Sequence, residues 1–462
     1  MVERLDIKLY DQQVGVLEKT HDGPVLIYDE DWIAAAQAGK GHALSISLPI
    51  TRREYGPRET TAFLAGLLPD SEAHRREIAR LFGREDANDY FELLRAIGRD
   101  CAGAVVFTDA ADQYAAIRER PGLLKMDEAE LAERLRNLPR APLMDDPDVG
   151  TRISLAGAQA KMAVVVTGGA VALPINGFPS SHILKIDIPL LPDSIRTEHF
   201  CLRLAKACNI NVPKSSLHQA EDIVYMRIGR YDRRQQIKAD GRSTLHRVHQ
   251  EDLCQAMGVH PEFKYENRGG PSWRDFAGLM RYMHSPAVDQ AGMLDRALFQ
   301  YLSGNPDAHG KNYSIRYTPR GEMGLSPLYD LNNQACLAKH YQSIMPRMAM
   351  GVGRKRGSDN PVAREDYRPN ITRDHWVEFA NDIGMPASHV LRKLDEMATR
   401  ISSAVESLRE EARHRIDDTP LLDAIKEDIQ GRADAVLRGV PEPPLPNQRP
   451  DRPQNWTAGP RL

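Results

Sequence analysis

Apolar and polar residues alternate at the start of the chain, and that pattern predicts strands. LDIKL alternates, and QQVGVLE follows it after a polar turn. ALSISLPI repeats the pattern at Leu44, Ile46, Leu48 and Ile50, so residues 4–50 read as a small β-rich unit. The period then lengthens. SEAHRREIARLFG, with Ser71 as N-cap, and DYFELLRAIG, ending at Gly98, carry helical spacing, as does a charged segment near 127–137. PRAPLMDDPD, residues 139–148, has little periodicity and marks a linker. Strand patterns return in ISLAGAQAKMAVVV and, after the turn TGGA, in SHILKIDI. TEHFCLRLAKACNI is helical, with apolar residues at 200, 201, 204, 205 and 208, and IVYMRIGRYDRR reads as a strand leaving the sheet. Helical spacing dominates from about 245 to 437, and the Pro-rich, apolar-poor end predicts disorder. The expected class is α+β. A β-rich subdomain with helices (1–145) precedes a second β-rich unit (146–231), a mostly helical unit (232–437) and a tail (438–462).

Composition narrows the partners. The 462 residues carry 61 Lys+Arg against 64 Asp+Glu, a formal charge of -3, so no global field draws the chain to nucleic acid or anionic lipid. MVERLDIKLY places charges where a signal peptide needs an apolar run, and no stretch has the length of a membrane span. The five cysteines are odd in number and scattered, as expected of buried thiols in a reducing compartment. A cytoplasmic protein is expected.

The chemistry concentrates in SGNPDAHGKNYSI, residues 303–315. Met293, Leu294, Ala297, Leu298, Tyr301 and Leu302 share one helical face, with Gly304 as its stop. A polar loop follows with Asp307, His309, Lys311 and Asn312. NYSIRY then alternates, TPRGEMG turns, and LSPLYDL is expected to return as a strand that delivers Asp330 beside Asp307 and Asn312. Phosphoryl transfer needs a carboxylate to orient a hydroxyl and hard oxygen ligands for Mg²⁺. Asp-x₄-Asn followed by an Asp on a returning strand is the arrangement protein kinases use. Alone, the spacing is weak evidence, because it occurs often by chance and reads more simply as an Asx-turn capping a loop. Upstream, Lys185 lies inside an apolar strand, where an unpaired lysine is costly, and Glu198 opens the next helix as a candidate ion-pair partner. SLAGAQAK offers a small-residue turn whose N–H groups can approach phosphate. The loop has no G-x-G-x-x-G, and it departs from a Walker loop in glycine spacing and in Asn312.

RISLAGAQAK, SSHILKI, TEHFCLRLAKACNINVP, RYDRR, RVHQEDLCQAMG, KYENRGGP, GNPDAHGKNYSI and LSPLYDL follow one another over roughly residues 150–335. This ordered set resembles the HipA-type serine/threonine kinase toxins of bacterial type II toxin–antitoxin modules. The resemblance implies a protein-kinase-like two-lobe fold using ATP and Mg²⁺. In it Asp307 is the catalytic base, Asn312 and Asp330 hold Mg²⁺, and Lys185, paired with Glu198, contacts the ATP phosphates. Ala156, Gly157, Ala158, Gln159, Ala160 and Lys161 form the phosphate loop. Gly229, Arg230 and Tyr231 meet adenine; Gly229 stands where the family commonly has an acidic residue, and Tyr231 where it has phenylalanine. His309, Gly310, Lys311 and Tyr329 complete the nucleotide site. Ser154 matches the autophosphorylation serine. Phosphoserine there adds about -1.5 to -2 charges beside the phosphate loop and should expel ATP. The family further implies a small helix-turn-helix antitoxin, operator DNA reached through it, and an aminoacyl-tRNA synthetase, foremost glutamyl-tRNA synthetase, as substrate. Arg347, Arg354, Lys355 and Arg356 form a basic run that fits DNA phosphates or a solvated loop equally. A binding module acting as co-repressor and a small-molecule phosphotransferase of kinase-like fold are the competing classes.

Overall fold

The computed structural model describes residues 2–84, 86–109, 122–139, 159–189, 191–237, 243–341, 348–353 and 371–440. Ser154, Ala156, Gly157, Ala158, the four basic residues of 347–356 and the tail from 441 lie outside the described residues. The architecture is the expected α+β.

The N-terminal unit is an antiparallel sheet of β1 (Arg4–Leu9), β2 (Gln12–Thr20), β3 (Gly23–Tyr28), β4 (Glu54–Tyr55) and β5 (Val105–Asp109), in the order β4-β3-β2-β1-β5. Alternation does what it predicts here: Leu5, Ile7 and Leu9 leave one face of β1 and are fully buried. Phe63, Leu64 and Leu67 from helix Pro57–Leu67 and Phe91 and Leu94 from helix Tyr90–Ile97 join the same core. The strand expected at 44–50 is absent. Leu44 and Leu48 are buried, but the segment is a turn with one isolated bridge between Ser45 and Leu48. Its serines explain why. Ser45 Oγ and Ser47 Oγ donate to the Gln255 carbonyl at 3.1 and 2.7 Å, and Ser45 also donates to the Glu251 carboxylate. The segment is a strap to the helical lobe.

The second sheet contains β6 (Gly122–Lys125), β7 (Lys161–Thr167), β8 (Ala170–Ile175), β9 (His182–Lys185), β10 (Ser215–Ala220) and β11 (Ile223–Gly229), ordered β10-β11-β9-β7-β8-β6. Contrary to the boundary expected at 145, β6 pairs with β8, and Leu131, Ala132 and Leu135 of helix Glu128–Asn137 pack on Met162, Val164 and Leu184. Its apolar face needs a sheet to cover it, and the second sheet supplies one. IVYMRIGRYDRR divides: β11 ends at Gly229, and β12 (Arg233–Ile237) pairs with β13 (Ser243–Arg247) as a separate hairpin.

The last unit is mostly helical around the long helix Ala387–Ala412, which packs against Leu421–Arg438. The unbroken helical stretch expected from 245 is interrupted by a sheet of β14 (Gln250–Asp252), β15 (Ser314–Tyr317) and β16 (Met323–Leu325). The returning strand expected at LSPLYDL is shorter and earlier. Pro327 has no N–H to continue the ladder, and Leu328 N–H bonds the Asn211 carbonyl instead.

Glu251 of β14 joins this sheet to the strap. It accepts from Ser45, from Ile46 N–H at 3.0 Å and from the Tyr317 hydroxyl. Burial pushes its carboxyl up to about 7 despite these donors. The folded protein therefore holds this proton more tightly than the unfolded chain. The contribution is greatest below the unfolded pKa of about 4.3 and is lost as pH rises towards 7. Glu251→Gln should gain about 1–3 kcal/mol relative to wild type between pH 5 and pH 8. Calorimetric melting of both proteins at each pH checks this; a Tm difference independent of pH refutes it.

Candidate active site

The polar loop sits where its sequence frame puts it. Helix Pro286–Leu302 buries Met293, Leu294, Ala297, Leu298, Tyr301 and Leu302, and Gly304, at φ +69°, releases the chain from it. The loop is then fixed by its own polar groups. Asp307 N–H donates to Asn305 Oδ1 at 3.3 Å, His309 N–H to the Asp307 carbonyl at 2.9 Å, and Asn312 Nδ2 to that carbonyl at 3.1 Å. The Asp307 carboxylate accepts from the Tyr265 hydroxyl at 2.9 Å and from Gln334 Nε2 at 3.3 Å.

Lys185 ends β9, and its Nζ lies 2.7 and 2.9 Å from the two oxygens of Glu198 on helix Ser194–Ala207. It reaches Asp330 Oδ1 at 3.5 Å. Burial would lower the Lys185 pKa, but Glu198 and Asp330 outweigh it and hold the ammonium above the ordinary lysine range. Both oxygens on one ammonium mark an ionised pair. Asp330 is more open, with a side chain 54% exposed, and takes a left-handed backbone at φ +57°. For a non-glycine residue that conformation costs about 1–2 kcal/mol, so its neighbours hold it there. Desolvation opposes its charge, but Lys185, Lys161 and His309 keep its carboxyl below the usual range. Lys161, opposite Lys185 in the sheet register, is buried; burial and the Lys185 charge push it down to about 8.

The other expected site residues make the following contacts. The Arg230 guanidinium is buried against Asp232, Asp100, Ser180 and the Cys101 carbonyl, so its donors are committed to these partners. Lys311 is likewise spent: it pairs with Asp252 at 2.8 Å and Asp70 at 3.6 Å and donates to the Gly66 carbonyl, which props the loop on the N-terminal unit. Gly229 N–H bonds the Lys214 carbonyl. One face of Tyr231 stacks on Tyr329, ring centres 5.6 Å apart, and the Tyr329 hydroxyl donates to the Lys311 carbonyl. His309 is buried edge-on to Tyr265, and burial pushes its pKa down. Gly310 admits Pro271, whose Cγ would lie 2.7 Å from a Cβ there. Gln159 Nε2 donates to the Ile186 carbonyl, and Ala160 packs on the core of the second sheet. The sequence reading missed Tyr265, Gln334 and Asp70. KYENRGGP carried resemblance without a role, and nothing local marks Asp70.

Asn312 and Asp330 supply one amide oxygen and one carboxylate. With the Asn312 Nδ2 spent on Asp307, its oxygen remains the ligand atom. Among the described residues no three His, Cys, Asp or Glu side chains cluster as a metal site. The donor set fits Mg²⁺, which takes few protein oxygens and completes its shell from phosphate and water.

The HipA N-terminal domain family matches residues 5–108, and the HipA-like C-terminal domain family matches residues 153–405. Y4mE of Sinorhizobium fredii, whose name places it provisionally among kinases, is 34% identical over 431 residues, covering 92% of this chain and 97% of its own. The serine/threonine-protein kinase toxin HipA of Shewanella oneidensis is 29% identical over 415 residues, 87% of this chain and 88% of its own. In the solved structures, a chain of the Shewanella oneidensis complex of HipA, HipB and operator DNA superposes with a TM-score of 0.77 at 25% identity, over 94% of this chain and 99% of that one. Among the described residues no helix is long and apolar enough to cross a membrane. Two lobes, a buried lysine–glutamate pair and an Asp-x₄-Asn loop thus coincide with matches across both domains, and the chain belongs to the HipA family.

Proposed function

We propose that this HipA-family protein is an ATP- and Mg²⁺-dependent serine/threonine kinase whose unrestrained activity arrests growth. The observation that carries the reading is the meeting of Lys185, Glu198 and Asp330, with His309 of the Asp307–Asn312 loop near enough to act on the Asp330 charge. Asp307 takes the proton of the acceptor hydroxyl, Lys185 orients the phosphates, and Asn312 and Asp330 hold Mg²⁺. Bound Mg²⁺ supplies charge neutralisation of the phosphate oxygens. Lys161, with its lowered pKa, adds a second positive group. Ser154 is the autophosphorylation site that shuts the enzyme off, an aminoacyl-tRNA synthetase (glutamyl-tRNA synthetase first) is the target, and a HipB-like helix-turn-helix protein is the antitoxin that links it to operator DNA. The neighbour solved with HipB and operator DNA supports that partner.

The test is transfer of label from γ-labelled ATP in Mg²⁺, to the protein itself and to purified synthetase. Transfer should stop on chelation. Asp330→Asn should need more Mg²⁺ to reach half its maximal rate. A wild type that transfers nothing in Mg²⁺, or that transfers as well in chelator, sinks the reading.

A further inference from the structure

Two side chains from distant parts of the fold grip the Asp307 carboxylate. Tyr265 precedes the short turn Glu266–Arg268, and its hydroxyl donates to Oδ1 at 2.9 Å. Gln334 opens the helix Gln334–Tyr341 and donates to Oδ2 at 3.3 Å. The loop bearing Tyr265 is closed by its own backbone bonds. Arg268 N–H and Gly270 N–H both bond the Tyr265 carbonyl, at 2.9 and 3.0 Å. A Cβ at Gly270 would fall 1.9 Å from the Phe263 carbonyl oxygen, so only glycine closes this turn. The same loop is tied to the catalytic loop, with Gly310 N–H on the Lys264 carbonyl at 3.1 Å. It is tied to it again through Ala349, which accepts from Glu266 N–H at 2.9 Å and donates to the Pro306 carbonyl at 2.7 Å. The Tyr265 ring stands edge-on to His309 at 5.3 Å. Burial and the Asp307 charge both push the Tyr265 pKa up, so its hydroxyl stays a donor.

We propose that Tyr265 is the positioning residue of the catalytic base: its hydroxyl pins Oδ1 of Asp307 and leaves Oδ2, on the Gln334 side, to accept the substrate hydroxyl. The proposal rests on the kinase reading. A carboxylate on a half-open loop can rotate about χ2, and a rotated base loses alignment with the acceptor hydroxyl. One short bond from a ring held by a closed turn removes that freedom.

Tyr265→Phe deletes the donor and keeps the ring against His309. The expected result is a kcat lower by about 10–100-fold, the value of one hydrogen bond to a charged group. KM for ATP should be unchanged, because the phosphates are held from Lys185. A structural role would not give the second result: in an Asp307→Asn background, Tyr265→Phe should cost nothing further, since the two act as a unit. Full kcat in Tyr265→Phe, or an equal loss in both backgrounds, overturns the assignment while the kinase reading stands. A wild type that transfers no phosphate overturns both.

Discussion

Replacing Asp307 by asparagine is expected to lower kcat for phosphoryl transfer by about 10²–10⁴-fold, the usual worth of a positioned general base. ATP affinity should hardly change. The division follows from the geometry. Asp307 is bonded within its loop and by Tyr265 and Gln334, whereas Lys185 is bonded by Glu198 and reaches Asp330. Base and phosphate grip therefore belong to different sets of contacts. Asparagine has nearly the same shape, and its amide oxygen still accepts from Tyr265, so the loop should keep its form. What disappears is the negative oxygen that takes a proton as the hydroxyl attacks. An interaction made only in the transition state lowers kcat and kcat/KM together and leaves KM alone. Steady-state transfer rates with varied ATP, alongside ATP binding by calorimetry, separate the two parameters. Unchanged kcat would remove Asp307 from the chemistry; a large loss of ATP affinity would make it a nucleotide ligand instead.

Legibility from sequence depended on how far apart the partners lie. Asp307 and Asn312 were readable because five residues and one loop hold them. Lys185 was readable because a lysine in an apolar strand demands a partner, and Glu198 lies 13 residues on. Asp330 reaches Lys185 although the strand expected to carry it ends at Leu325. ALSISLPI failed for a different reason. Its alternation buries Leu44 and Leu48 correctly, but the serines between them bond residues more than 200 positions away, and those bonds outcompete a sheet ladder. Arg230 and Lys311 were assigned to ATP by resemblance. Arg230 has one acid close in sequence, Asp232 two residues on, but its other, Asp100 at 130 residues, and those of Lys311, Asp252 and Asp70 at 59 and 241, come together only in the fold. Tyr265 was missed on the same ground, 42 residues from the carboxylate it holds.

Asp100→Ala is expected to destabilise the fold by about 3–5 kcal/mol, the cost of leaving buried charge without its partner. Asp100 lies in the bend after helix Tyr90–Ile97 and is 1% exposed. It takes Arg233 at 2.7 Å, Arg230 at 3.3 Å and Arg247 at 3.4 Å, and Ser180 donates both its N–H, at 3.0 Å, and its hydroxyl, at 2.7 Å. Ser180 precedes β9 and Arg230 follows β11 of the second sheet, and Arg233 and Arg247 lie on the β12–β13 hairpin, so one carboxylate ties these segments to the N-terminal unit. Asp232 is the other acid in the cluster, and it already binds Arg230 and Arg233. Removing Asp100 therefore leaves three guanidiniums facing one carboxylate in a place water does not reach. Burial alone would raise the Asp100 pKa, but the three arginines outweigh it and hold the group well below the ordinary carboxylate range. Its stabilisation is present above a pH of about 3.9 and is lost as pH falls further, so the variant's deficit should be full at pH 7. The exposed pair Arg76–Glu72 is the natural contrast: both side chains face water, and Glu72→Ala should cost no more than about 1 kcal/mol. Urea unfolding followed by circular dichroism measures both variants at pH 7. A loss at Asp100 as small as that at Glu72 would mean that this junction is held by its apolar contacts and the arginines find water without it.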